Sequence, residues 1–418
     1  MKRIVNALSK LNWGTRACAV LALCAATAIA LPAQTATLTT LYQFCSQSGC
    51  TDGANPHAGL VQATSGDLYG TTYGGGTNNG GTIFKITPHG TLMSLYSFCS
   101  QSGCPDGAEP EAVLVQAANG DLFGTTSGGS FLSYGTIFKF TPGGTLTLYS
   151  FCSQTNCTDG ASPGAGLVQA ASGDLYGTTM NGGIGTPGNG TVFKITPSGT
   201  LTTLYSFCSQ SRCPDGGGPW AGLIQATNGH LYGTTLGGGA NDEGTVFRIT
   251  PSGTLTTLYS FCSQTNCKDG VNPYAGLVQA TNGDFYGTTS GAGTHGYGTA
   301  FKITPGGALT TLHRFCSQSG CPDGAEPEAV LVQAANGDLY GTTVVGGANL
   351  RGTIFKITPS GTLTTLYSFC SQTNCTDGAN PTLGSSRIPM EISTGQPLGA
   401  GLAAMAPSSG CPLASARL

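Results

Sequence analysis

Charge is scarce in this 418-residue chain: 8% of residues are Asp, Glu, Lys or Arg, with 16 basic against 19 acidic. A net charge of −3 excludes the basic face that nucleic-acid binding needs. Four of the basic residues, Lys2, Arg3, Lys10 and Arg16, crowd the first sixteen positions, so the remainder is more acidic still. No stretch has helical periodicity, which argues against an α or α/β fold. After residue 31 no apolar run approaches the length that spans a bilayer. The five histidines, His57, His89, His230, His295 and His313, share no common spacing, so no metal triad is implied. A Gly-x-Ser-x-Gly elbow, a Walker loop and a Cys-x₂-Cys redox pair are all missing. No catalytic residue, metal or cofactor is expected. What the chain does have is 67 glycines and evenly recurring Tyr, Phe, Val, Ile and Thr, the composition of an ordered all-β protein with many tight turns.

The four basic residues precede "ACAVLALCAATAIAL", Ala17 to Leu31, which ends in the small-residue triplet Ala28-Ile29-Ala30. A basic start, a short apolar core and small residues at its end describe a secretory signal peptide, expected over 1–33. Fifteen apolar residues are too few for a membrane anchor. The mature chain is expected to be periplasmic, cell-surface or extracellular, monomeric, and without a transmembrane segment.

Export changes what the 17 cysteines mean. Cys18 and Cys24 leave with the leader and Cys411 stands alone. Fourteen form seven Cys-x₄-Cys pairs: Cys45/Cys50, Cys99/Cys104, Cys152/Cys157, Cys208/Cys213, Cys262/Cys267, Cys316/Cys321 and Cys370/Cys375. Regular, even-numbered spacing in an oxidising compartment reads as disulfides; the usual zinc spacing is tighter and no His recurs beside the pairs. Each such bridge closes a six-residue loop, a structural staple that contributes about 2 kcal/mol on a chain-entropy estimate.

The first cysteines of the pairs are 54, 53, 56, 54, 54 and 54 residues apart, the period of a repeat architecture. One module, "YAGLVQATNGDFYGTTSGAGTHGYGTAFKITPGGALTTLHRF", divides into four strands. Strand a is "AGLVQA", strand b "DFYGTT", strand c "GTAFKIT" and strand d "ALTTLHRF". An Asn-Gly or Ser-Gly turn of the two-residue hairpin kind joins a to b. Four antiparallel strands per module make the blades of a β-propeller. A β-solenoid has shorter coils and needs caps, and calcium-binding nonapeptides would repeat their Asp far more often.

Seven clamps accompany only six plain copies of strands b and c. Residues 38–44, "LTTLYQF", read as a strand d with no a, b or c before it. The tail 379–418 can be laid on the module, with "EISTGQPLGAG" (391–401) on "QATSGDLYGTT" (62–72), Gly395 on Gly66, Gly399 on Gly70 and Gly410 on Gly81. The expectation is one propeller domain over 34–418, its last repeat degenerate. It has seven blades, with the N-terminal strand closing the ring and removing exposed edges. The alternative is six blades followed by a disordered tail.

The stretches "NPYAGLVQATNGDFYGTT" (272–289) and "GTVFKITPSGTLTTLYSF" (190–207) resemble the Gloeo_Verruco (GloVer) tandem repeat of exported bacterial proteins with varied C-terminal anchors. The resemblance covers residues 38 to about 380 and implies a propeller-like fold and export. It implies no established activity, so no functional residue is carried over. The tail lacks the apolar sorting segment of the anchored members, and the Cys-x₄-Cys insert is a variant feature.

Residues repeated in every module are explained by the module. Asp52, Asp106, Asp159, Asp215, Asp269, Asp323 and Asp377 precede Gly in the loop after each clamp, where Asp bonds turn amides. Lys85, Lys139, Lys194, Arg248, Lys302 and Lys356 recur in strand c as long stems over apolar surface. Gln62 and its equivalents in strand a can satisfy backbone groups near the channel. Ligand binding is expected where blades differ, on the face that carries the d–a clamps and the b–c loops. The residue opening strand a reads His57, Glu111, Gly164, Trp220, Tyr274 and Glu328. Trp220 and Tyr274 would set two aromatic rings beside the channel mouth, suited to a sugar or a partner's apolar side chain. The expected function is a non-catalytic binding or structural module recognising a glycan or an extracellular protein. The alternative is a carbohydrate-active lyase or hydrolase at the channel mouth, with Glu111 and Glu328 as its carboxyl candidates.

Overall fold

The computed structural model describes residues 37–381, except 64, 130–133, 142–143, 186–187 and 293–295, and the strands 403–405 and 412–417. All of these lie in the unit Ala36–Leu418. The expected leader, Cys411 and the tail glycines Gly395, Gly399 and Gly410 fall outside the described residues.

Six antiparallel four-stranded sheets follow one another along the chain, each in the order a-b-c-d. In the third they are Val168–Gln169, Leu175–Thr179, Thr191–Ile195 and Leu201–Ser206. The chain is therefore an all-β propeller with six complete blades. Strand a is shorter than expected, two residues in every blade. In the third, fourth and fifth blades the Ala-Gly start packs against the neighbouring blade instead of pairing with strand b. A Cβ on Gly222 would sit 3.2 Å from the Gly166 carbonyl oxygen, and one on Gly276 3.2 Å from that of Gly222. The a–b turn also differs from a two-residue hairpin. Ala280 N–H bonds to Asp284 O, Gly283 N–H bonds to Ala280 O, and Gly283 takes φ 87°. That is a type I turn followed by a left-handed residue, the three-residue form.

The blades meet through phenylalanine. A buried Phe follows strand d in each blade, and in the first five it packs on the strand c Phe of the next. Phe98–Phe138, Phe151–Phe193, Phe207–Phe247, Phe261–Phe301 and Phe315–Phe355 have centroids 5.0–5.3 Å apart and meet edge-on. The Gly-Thr-Thr phrase of strand b serves the same packing. Its Gly lies under the strand c ring: a Cβ on Gly287 would come within 2.7 Å of Phe301 Cζ and 3.0 Å of Leu277 Cδ2. Its first Thr donates across the interface, as Thr178 does to Ala221 O at 3.2 Å. Its second Thr meets the first Thr of strand c, Thr179 and Thr191 being 2.8 Å apart. Each repeated residue type thus has a structural task.

The N-terminal strand, Thr37–Gln43, belongs to none of the six blades. It pairs antiparallel with Pro412–Arg417, which pairs in turn with Ala403–Met405 in a three-stranded sheet. The first pairing skips Leu41 between Thr40 and Tyr42, as strand d of the third blade skips Leu204 between Thr203 and Tyr205. Within the three-stranded sheet Ala403 opposes Ser415, Ala404 opposes Ala414 and Met405 opposes Leu413. Phe44 packs on Phe84 of the first blade at 4.9 Å, with Leu41 and Tyr42 against the same core. On the other side, Thr40 Oγ1 donates to Thr376 O after the sixth blade. Thr147 and Thr365, strand d residues of blades two and six, bond in the same way to Pro105 O and Pro322 O.

Replacing Gly287 by Ala should overpack the blade interface, costing about 1–3 kcal/mol and lowering the melting temperature by several degrees. Thermal denaturation of the variant checks this; an unchanged midpoint would show that strand c is free to move away.

Candidate functional site

Each d–a connection carries a disulfide between cysteines five residues apart, the local pairing that the spacing predicts. The bridges are Cys45–Cys50, Cys99–Cys104, Cys152–Cys157, Cys208–Cys213, Cys262–Cys267, Cys316–Cys321 and Cys370–Cys375. Their part in the structure is wider than the staple that the sequence reading assigned them. The second cysteine of every pair takes left-handed backbone: Cys50, Cys104, Cys157, Cys213, Cys267, Cys321 and Cys375 have φ between 45° and 53°. Few non-glycine residues enter that region, and the tight loop requires it here. The turn aims the carbonyl of this cysteine at amides downstream. Gly107 N–H bonds Cys104 O and Gly270 N–H bonds Cys267 O, both at 2.9 Å. The same carbonyl also receives the b–c loop of the blade that follows. Gly183 N–H bonds Cys157 O at 2.9 Å, while Gly239 N–H bonds Cys213 O and Gly347 N–H bonds Cys321 O at 2.8 Å. The reading missed this because it treated each clamp as closed on itself, whereas its partners lie some 25 residues further along.

Inside the clamp lies the repeated Asp. In the first copy Asp52 Oδ2 accepts from Tyr42 Oη at 2.9 Å, Ser46 N–H at 2.9 Å and Ser46 Oγ at 2.8 Å. Burial alone would push the Asp52 carboxyl up, but these bonds hold it below its ordinary value. In the fifth blade His313 Nε2 replaces the tyrosine, 2.9 Å from Asp323. The Asp ring is thus consumed by the clamps. Among the described residues no group of three or more His, Cys, Asp or Glu could hold a metal.

The strand c cations are also committed, though not as solvated stems. Lys85, Lys139, Lys194, Lys302 and Lys356 pair with Asp67, Asp121, Asp174, Asp284 and Asp338 at 2.6–3.7 Å. In the fourth blade both partners change together, His230 standing for the Asp and Arg248 for the Lys, and Arg248 bonds Thr256 Oγ1 instead. The strand a glutamines bridge blades: Gln279 Oε1 accepts from Thr227 N–H at 3.0 Å and Gln333 Oε1 from Thr281 N–H at 3.0 Å.

Clamps and b–c loops emerge on one face, held by bonds such as Gly76 N–H to Cys50 O and Ala54 N–H to Gly74 O. There the residues that open strand a form a half-buried circle, and several meet. His57 stacks on Tyr73 with centroids 5.1 Å apart. The Tyr73 hydroxyl bonds to Glu109 of the second blade and feels Glu111. Ser127 stands beside Glu111, its hydroxyl donating to the Glu109 carbonyl at 3.0 Å. Gly164 follows, between Glu111 and Trp220. Trp220 and Tyr274 meet edge-on at 6.3 Å and 69°. The two aromatics are therefore brought together, but against each other and half-buried instead of freely exposed. Burial raises the carboxyl pKa of Glu111 and carries Glu328, with Glu326 beside it, to about 6. Burial lowers the pKa of His57, which favours its neutral form.

Sequence reasoning missed a second variable circle, the residue just after Gly-Thr-Thr. It reads Tyr73, Ser127, Met180, Leu236, Ser290 and Val344. Its amide bonds the residue two before strand a, as Ser127 N–H bonds Glu109 O and Leu236 N–H bonds Gly218 O. Its variation beside an otherwise constant phrase was the available signal.

The family model described as the Gloeobacter/Verrucomicrobia repeat matches residues 25–187, 147–322 and 185–388. No curated protein sequence matches the chain. Among solved structures, virginiamycin B lyase from Staphylococcus aureus is 14% identical with a TM-score of 0.57, over 92% of this chain and 99% of that one. The extracellular domain of a hybrid two-component system from B. thetaiotaomicron is 11% identical with a TM-score of 0.55, over 91% of this chain and 39% of that one. Puromycin hydrolase is 14% identical at 0.50, over 86% and 51%. At such identities the likeness is one of fold alone.

The clamp hydroxyls give a pH test. Burial and the nearby Asp215 and Asp377 carboxylates push the Tyr205 and Tyr367 hydroxyls up to about 12. A raised tyrosine stabilises the fold below its unfolded pKa near 10, and that contribution is lost as pH rises toward 12. The melting-temperature gap between the natural chain and Tyr205→Phe should therefore be largest below pH 10 and shrink above it. A gap independent of pH would contradict the Tyr–carboxylate bond.

Proposed function

The chain belongs to the Gloeobacter/Verrucomicrobia repeat family, and from that premise we propose that it is an exported, non-catalytic binding propeller. Its ligand, a glycan or an extracellular protein, docks at the mouth where clamps and b–c loops emerge. The observation that carries this is the Trp220–Tyr274 pair, two large rings on adjacent blades at positions where other blades have Gly, Glu or His. The repeated Asp, Lys, Gln and Thr side chains are bonded within or between blades, so recognition falls to residues that break the repeat.

A seven-bladed ring goes with this reading, the three-stranded sheet standing as the seventh blade. Thr40 on the sixth blade's loop and Phe44 on the first blade's core support it. So does the entry of the chain after the sixth clamp: Asn380 N–H bonds Arg351 O, and Pro381 lies on Gly352 as Pro327 lies on Gly298. In a closed ring every blade face is covered by a neighbour and only short, protected edges remain. Deleting residues 37–43 should open it and cause aggregation or a broad, uncooperative melt. A truncated chain that melts like the full mature one would remove the strand from the ring.

A second reading, a carbohydrate-active lyase or hydrolase, draws support from Glu328, whose pKa near 6 suits a general acid. Against it, Glu111 and Glu328 sit in near-identical segments, 104–122 and 321–339, of two non-adjacent blades.

Trp220→Ala and Tyr274→Ala test the binding reading. Each should weaken binding of a ligand isolated by pull-down or glycan array about thirtyfold, while Ser252→Ala on the opposite face changes nothing. New reducing ends or unsaturated sugars in that assay would favour the enzyme. Loss of folding in both aromatic variants would make the pair core instead of site.

A further inference from the structure

Within the circle of residues that opens strand a, one place has no side chain. A Cβ on Gly164 would meet Glu111 Oε2 at 3.8 Å and Trp220 Cη2 at 3.9 Å. A carboxylate from the second blade and an indole from the fourth thus converge on an unfilled position in the third. The indole is held by Tyr274, which packs on its edge, and Ser127 stands beside Glu111. Two residues on, the second and third blades touch: a Cβ on Gly166 would come within 3.1 Å of the Val113 carbonyl oxygen.

Glu111 and Glu328 are the charged members of the two variable circles, with Glu109 and Glu326 two residues before them, and neither circle contains Lys or Arg; the basic residues of this face, Arg212, Lys268 and Arg351, lie in its clamps and b–c loops. An anionic polysaccharide would be repelled there. A half-buried carboxylate gains most from a cation that replaces its lost water, and an indole attracts ammonium through its ring quadrupole. The same indole packs on the apolar face of a pyranose.

We infer that the ligand is a glycan with free amino groups, one ammonium docking above Gly164 between the Glu111 carboxylate and the Trp220 ring. This rests on the mouth being the binding site. A lysine side chain offers the same cation but not a pyranose face for the Trp220 ring to stack on. An amine set directly on a sugar ring reaches the place with the ring lying across the mouth.

Titration calorimetry on the mature chain, with glucosamine hexamer, its N-acetylated counterpart and a lysine-rich peptide, tests this. The glucosamine hexamer should bind, and the acetylated hexamer, which lacks the charge, should bind at least tenfold more weakly. Glu111→Gln should weaken the glucosamine hexamer about tenfold. Gly164→Leu should abolish its binding by filling the place while every contact group stays. Circular dichroism melts confirm that both variants fold, and Gly164→Ala serves as the milder variant if Leu does not. Equal binding of the two hexamers, with Glu111→Gln without effect, would overturn the ammonium site while leaving glycan binding at the mouth standing. Equal or tighter binding of the peptide would overturn the choice of a glycan. Binding that survives both Gly164→Leu and Trp220→Ala would place the amine elsewhere. If neither these hexamers nor any neutral glycan binds, both the ammonium site and glycan recognition fall.

Discussion

The edge-on contact between one blade's last phenylalanine and the next blade's strand c phenylalanine organises the rest of the molecule. A four-stranded blade cannot bury both of its faces alone, so each must be covered by a neighbour. The phenylalanine pairs do this at nearly constant spacing, from 4.9 Å at Phe44–Phe84 to 5.3 Å at Phe261–Phe301. That spacing requires glycine in the middle of strand b, because a methyl group there would strike the ring. It also brings the starts of the innermost strands together across blades, Gly222 against Gly166 and Gly276 against Gly222.

Packing of this kind leaves polar groups in dry places, and the module answers them with its own side chains. Thr178 reaches a carbonyl of the next blade, Thr179 and Thr191 satisfy each other, and Asp52 gathers a tyrosine and a serine. With 8% charged residues, few ions remain for other work. The positions that escape these demands lie at the mouth, where a side chain can vary without disturbing a blade interface. His57, Glu111, Gly164, Trp220, Tyr274 and Glu328 differ from one another for that reason.

The period, the four strands, the clamp pairings and the face that would vary were legible in the sequence, because each is a local pattern repeated six or seven times. The orphan "LTTLYQF" could be recognised as strand d from its likeness to "LTTLYS". What was not legible depends on distances between residues that are remote in sequence. The Lys85–Asp67 pair spans an entire hairpin, and Tyr73 meets Glu109 only because two blades abut. The carbonyl of Cys157 or Cys213 finds its second donor only once the b–c loop has folded back over the clamp. The three-residue a–b turn was misassigned because Asn-Gly suits both hairpin forms, and hydrogen bonds, not residue types, distinguish them.

Everything argued for the mouth assumes a ring closed by the N-terminal strand, and amide hydrogen exchange followed by mass spectrometry tests that most directly. The peptide covering residues 38–44 should exchange as slowly as the one covering 363–369, strand d of the sixth blade, because both would be held between two blades by the same bonds. Exchange of 38–44 at the rate of an unstructured peptide, with 363–369 protected, would contradict a closed ring.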